Sequence, residues 1–203
     1  MSGFRWFLAT CCIIFWSENA VALSAKKVSG NIIISGPIEL GDYDFIRRYL
    51  VSNTADTIYL NSNGGTVSEA LKIANLFRKK GMATHLPRRS VCASACVLLF
   101  AGGVIRTAES TAKIGIHVGS GVLNDEAIEM FDDLYFEHGK EGFAIAASMF
   151  EQTAARFTLE QTLFLLEAGV SLRLLEKTIE VHHLDIMWLN HHEAKKFNLI
   201  NAS

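Results

Sequence analysis

Two residues with hydrolytic potential stand out in this chain: a serine set among small neighbours in Cys92-Ala93-Ser94-Ala95-Cys96, and His117 at the end of an alternating apolar run. A serine hydroxyl becomes a nucleophile when a base takes its proton and backbone N–H groups receive the charge that develops on the attacked carbonyl oxygen. The pattern around Ser94 places it where a strand and loop hand over to a helix. The N–H of Ala95 then belongs to an unpaired first turn and is free to face an oxyanion. A second donor is expected from Gly64-Gly65, where the absence of side chains lets backbone come close. Taken singly, Ser94 reads as an ordinary helix cap and His117 as a core or edge histidine. What raises the pair above those readings is the order and spacing of the whole set.

Other chemistries are poorly supported. Gly64-Gly65 is not followed directly by a lysine and lacks Gly-x-Gly-x-x-Gly spacing, which disfavours nucleotide binding. His182-His183 and His191-His192 match no zinc-ligand spacing, so no metal site and no cofactor are expected. A net charge of −2 without blocks of like charge gives no footprint for nucleic acid.

The elements that would position these groups alternate along the chain. Asn31 to Ser35 and Thr57 to Leu60 read as short strands, and Asp42 to Val51 has helical spacing of Phe45, Ile46, Tyr49 and Leu50. After Asn61-Ser62-Asn63-Gly64-Gly65, Thr66 and Glu69 predict a capping box that opens a helix ending at Gly81. Met82 to Leu86 predicts a strand, Ser94 to Ala101 a compact apolar helix, and Ala112 to His117 a strand leading into Gly119-Ser120-Gly121. Asn124 is expected to cap one later helix and Thr158 with Gln161 to box another. Asp185 to Leu189 reads as a late strand, and Asn190 with Glu193 caps the last helix. Strands interleaved with helices predict an α/β fold.

With 203 residues, 50% of them hydrophobic, and no linker or repeat, the chain accommodates one domain, drawn here over 26–203. Residues 1–25 differ. Arg5, the uncharged run Trp6 to Trp16 and the small-x-small Ala20-Val21-Ala22 predict a secretory signal peptide cleaved after Ala22, with an uncleaved membrane anchor as the alternative. Cleavage would remove Cys11 and Cys12, leaving Cys92 and Cys96 on either side of Ser94. An exported chain meets an oxidising compartment, so a Cys92–Cys96 disulfide and two small buried hydrophobes are the two readings.

The motifs taken in order resemble a known family. Tyr59-Leu60-Asn61-Ser62-Asn63-Gly64-Gly65 is similar to the Asn-Ser-Pro-Gly-Gly segment of the proteolytic subunit of Clp protease. Ala93-Ser94-Ala95, 29 residues after Gly65, resembles its Ala-Ser-Met nucleophile segment, Ile116-His117 its Ile-His, and Trp188 to Ile200 its C-terminal stretch. Exported ClpP-like proteins look closer still, through Cys-x-Ser-Ala-Cys and Asp185-Ile186-Met187-Trp188-Leu189. The resemblance implies a ClpP/crotonase-like spiral of ββα units, Ser94 as nucleophile, His117 as base, and the N–H groups of Gly65 and Ala95 as oxyanion hole. Its third triad member is an aspartate. An ungapped match puts His182 there, while the exported proteins favour Asp185. Asn63 replaces the family's proline.

The expected function is a serine-dependent peptide-bond hydrolase of the periplasm or cell exterior, acting on peptides or unfolded protein. Two alternatives stand beside it: a catalytically silent binding or assembly module, and an acyl-CoA-processing crotonase relative, against which export argues because coenzyme A is intracellular. A homo-oligomer is expected from the apolar surface of Ala144 to Phe150 and Phe164 to Leu166.

Overall fold

A computed structural model describes residues 23–119 and 125–202. Most of the expected signal segment, residues 1–22, therefore lies outside the described residues, as does Asn124 with its expected cap. Leu23 is buried and β1 (Ser24–Val28) pairs antiparallel with β2 (Asn31–Ser35), so the folded domain already includes residues 23–25 and its boundary moves ahead of the one drawn at 26.

From β2 onward the first sheet is parallel: β2, β3 (Thr57–Asn61), β4 (Ala83–Leu86) and β6 (Arg106–Ala108), in the order β1-β2-β3-β4-β6. Alternation places Ile32, Ile34, Ile58, Leu60, Thr84 and Leu86 on one buried face. That face packs against α1 (Asp42–Ser52), α2 (Val67–Lys79) and the wholly buried α3 (Cys96–Ala101). A second sheet, β5-β7-β8, joins β5 (Val91–Ala93), β7 (Lys113–Ile116) and β8 (Met187–Leu189), with β5 parallel to β7 and β8 antiparallel to it. The two sheets meet through the single bridge Ser62↔Cys92, and a second bridge, Ile38↔Gly65, ties the segments that follow β2 and β3.

The capping box expected at the start of α2 is not formed. Thr66 makes no side-chain cap, and the buried Glu69 reaches sideways to accept the N–H of Tyr43, at 2.8 Å, in the first turn of α1. Its other oxygen accepts from Lys72 Nζ at 2.8 Å. Burial pushes the Glu69 carboxyl up, but the bonds from Lys72 and the Tyr43 N–H more than offset it, and its pKa falls below the ordinary 4.5. A carboxylate with a depressed folded pKa stabilises the fold above its unfolded value and loses that contribution as pH falls through the folded one. Glu69→Gln is therefore expected to lower the urea midpoint at pH 7 and to flatten its decline below about pH 4.5.

Downstream of residue 124 the chain is mainly helical. α4 (Asp125–Glu167) is broken at Gly139, whose φ of 59° lies in the left-handed region, and its two arms fold back on each other. Phe131 packs edge-on against Phe143 at 5.7 Å and against Phe150 at 6.4 Å. No helix begins at Thr158. It sits inside the second arm, donating its hydroxyl to the carbonyl of Ala154 at 2.9 Å, so the expected box with Gln161 is absent. The chain ends with α5 (Arg173–Ile179), β8 and α6 (His191–Lys196), which carries the expected Asn190 and Glu193 capping box.

The C-terminal stretch is held by Arg106, which is 1% exposed and has no ion-pair partner among the described residues. Its guanidinium donates to three carbonyls, of Leu199 at 2.9 Å, Gly103 at 2.9 Å and Asn198 at 2.7 Å. Burial, with a smaller push from the positive charge of Arg78, lowers its pKa to about 10, so it stays charged at neutral pH. Arg106→Met would leave three carbonyls without donors, and is expected to cost about 3–5 kcal/mol, read as a fall in denaturant midpoint without a change in slope.

Candidate active site

β5 delivers Ser94 to the site and β7 fixes its height. The Ser94 N–H donates to the Gly115 carbonyl at 2.9 Å, while its own carbonyl accepts from Val97 N–H at 2.9 Å and so opens the turn into α3. Between these bonds Ser94 has a φ of 55°, the left-handed region that a side chain disfavours. A disulfide joins Cys92 and Cys96, both fully buried, and so closes a short loop around this turn. Cys92→Ser with Cys96→Ser is expected to cost about 2 kcal/mol from loop entropy. It should also slow any reaction of Ser94 more than it lowers the melting temperature at distant probes.

The Gly64-Gly65 turn meets Ser94 from the other side. A Cβ on Gly64 would lie 2.7 Å from the Ser94 Cβ and 2.9 Å from the Ala95 nitrogen, so only glycine lets the two backbones touch. Gly64 N–H donates to Ser62 Oγ at 3.1 Å, and the Gly64 carbonyl accepts from Ile38 N–H at 2.8 Å. Among the described residues, neither Gly65 N–H nor Ala95 N–H has a hydrogen-bond partner. Two unspent donors beside one serine hydroxyl are what an oxyanion hole requires.

His117 follows β7 and lines the same cleft as Ser94 and Ala95. Its Nδ1 is buried without a partner, whereas Nε2 is neither buried nor hydrogen-bonded among the described residues. Ser94 Oγ and the ring share the cleft without a hydrogen bond between them; such bonds are often long in unliganded sites and tighten around substrate.

The structure does not bring an acid to this pair. Asp185 is exposed, its carboxylate makes no hydrogen bond or ion pair among the described residues, and its own N–H donates to the His182 carbonyl at 2.9 Å. Asp185 lies in the turn before β8, whose pairing with β7 ends at Ile116 and Met187, and beyond that pair the Val118 N–H donates to the Val181 carbonyl at 3.0 Å. His182 is exposed as well. It stacks on His183 at 4.3 Å and accepts the Leu184 N–H through Nδ1. Among the described residues no carboxylate lines the cleft, and apart from Ser94 and His117 the polar side chains on its walls are Gln161 from α4 and Thr178 from α5. Sequence patterning did not place these two in the site. Gln161 lay in an apparent capping motif, and Thr178 in a helix that the pattern did not delimit.

Comparison with protein families and with curated proteins finds no match. Comparison with solved structures finds a ClpP-like fold. The chain resembles a variant of ClpP1 from Listeria monocytogenes with a TM-score of 0.60 and 20% identity, over 85% of this chain and 89% of that one. At that identity the likeness establishes the fold.

Proposed function

We propose that this chain is an exported serine peptidase that cleaves peptides or unfolded protein, built on a spiral of ββα units of the ClpP/crotonase type. One observation carries the reading: a serine held in the left-handed region, an imidazole and Ala95, whose N–H has no partner among the described residues, line one cleft, and the Gly64-Gly65 turn that carries the second such N–H touches Ser94. Strain of this kind, of order 1–3 kcal/mol, persists only where the surroundings impose it, and it gathers at functional positions.

In the reaction, His117 Nε2 takes the Ser94 hydroxyl proton as Oγ bonds to the scissile carbonyl carbon. The Gly65 and Ala95 N–H groups receive the oxyanion. Collapse breaks the C–N bond, the imidazolium gives its proton to the departing amine, and water repeats the sequence to free Ser94. No cofactor is needed. The disulfide and the apolar N-terminal sequence both support export to the periplasm or beyond, and a retained N-terminal segment would tether the enzyme to the membrane. Exposed Phe136, Phe143, Ile145 and Met149 on α4 support self-assembly.

That no carboxylate among the described residues lines the cleft favours the second reading, a silent binding module on the same fold. Cleavage of a denatured protein substrate separates the two. Wild type is expected to cut it and His117→Ala to fail, whereas equal inactivity of both proteins supports the silent module.

A further inference from the structure

For Nε2 of His117 to accept the Ser94 proton, the ring must carry its own hydrogen on Nδ1, and that atom is buried with nothing to accept from it. A buried donor left unpaired costs about 1–3 kcal/mol and leaves the tautomer unfixed, which is the burden an acidic triad member normally removes. Asp185 and His182 are exposed, and His182 is engaged with Leu184 and His183. Among the described side chains lining the cleft, Gln161 and Thr178 offer an oxygen acceptor besides Ser94. Thr178 is fixed on α5 by its hydroxyl, which donates to the Leu174 carbonyl at 2.7 Å while its oxygen can still accept. Gln161 is different. Its amide makes no hydrogen bond among the described residues, and its Nε2 stands 3.8 Å from where a Cβ on Gly119 would lie, beside the loop that carries His117.

We propose that Gln161 is the positioning residue for His117. With substrate in the cleft, its Oε1 accepts the Nδ1 hydrogen, which fixes the tautomer that leaves Nε2 free as base. An amide orients the ring without adding negative charge, so it supplies the geometry of a triad while stabilising the imidazolium less than a carboxylate would. This assignment rests on the peptidase reading above.

The test is steady-state hydrolysis of a fluorogenic peptide across pH 5 to 9 by wild type, Gln161→Leu and Gln161→Glu, each checked for an unchanged far-ultraviolet spectrum. Gln161→Leu is expected to lower kcat about 10–100-fold with KM within twofold of wild type, as loss of an orienting partner should. Gln161→Glu is expected to retain turnover and move the acid limb of the profile, on which the rate rises with pH, upward by about one pH unit, because a carboxylate favours the charged ring. Gln161→Leu with wild-type kcat and profile, or a change in KM alone, would overturn the assignment. So would a Gln161→Glu profile identical to wild type. If Gln161→Leu does not fold, the Gln161→Glu profile decides. An inactive wild type instead overturns the peptidase reading, and the assignment with it.

Discussion

Ser94→Gly is expected to abolish turnover and at the same time to make the protein slightly more stable. Removing the nucleophile of a serine hydrolase costs at least about three decades in kcat, because the oxyanion donors and binding groups that remain retain only residual catalysis. Stability should move the other way. The backbone at Ser94 has a φ of 55°, where any side chain is penalised by roughly 1–2 kcal/mol, and glycine is not. The Ser94 hydroxyl makes no hydrogen bond among the described residues, so little is lost with it. The greater freedom of glycine in the unfolded chain takes back about 0.4–1 kcal/mol. A net gain of up to about 1 kcal/mol corresponds to about 2–4 °C in melting temperature for a domain of this size. Ser94→Ala keeps the penalty and should lose activity equally with an unchanged melting temperature. A Ser94→Gly protein that melts below Ser94→Ala would show that the turn is not held under strain.

Gly65→Ala carries the second large effect, on fold and site together. Its φ of 137° suits only glycine, and a Cβ there would lie 2.1 Å from the Ile38 carbonyl oxygen and 2.9 Å from the Ile38 nitrogen. Both are backbone atoms of the bridge that ties the Gly64-Gly65 turn to the first sheet, and they cannot swing aside as a side chain could. Conformational strain and overpacking add to an expected loss of about 3–5 kcal/mol. Whatever folds should lose an oxyanion donor as well, worth about 10²–10³ in kcat. Gly41 is the control. Its φ is 91°, but a Cβ there meets nothing within 4 Å, so Gly41→Ala should cost only about 1 kcal/mol and leave kcat alone. Equal urea midpoints for the two alanine variants would contradict the crowding at Gly65.

The layout around the serine was legible in the sequence wherever a local rule operates. The β-branched alternation of Asn31 to Ser35, the helical spacing of α1 and the Asn190 and Glu193 box all recur in the structure, because each depends on neighbours a few residues away. β1, β5 and β6 escaped notice. They are three to five residues long and gain their order from pairing with strands distant in sequence, which leaves no periodic trace in so short a run. Glu69 shows the same limit from the other side. The Thr-x-x-Glu spacing is real, but a tertiary partner, the Tyr43 N–H, claims the carboxylate. Asp185 was chosen from a motif, but it sits in the turn that leads into β8, with its N–H on the His182 carbonyl and its carboxylate exposed and unpaired among the described residues. Gln161 could have been found only by knowing that the second arm of α4 returns over the cleft.

The central claim is that Ser94 is an activated nucleophile, and covalent capture tests it most directly. The folded protein should be treated with a fluorophosphonate and the adduct mapped by mass spectrometry of its peptides. One adduct per chain is expected, on the peptide containing Ser94, absent after denaturation in urea and formed at least tenfold more slowly in His117→Ala. A folded protein that takes up no adduct, or carries it on another residue, would contradict the account.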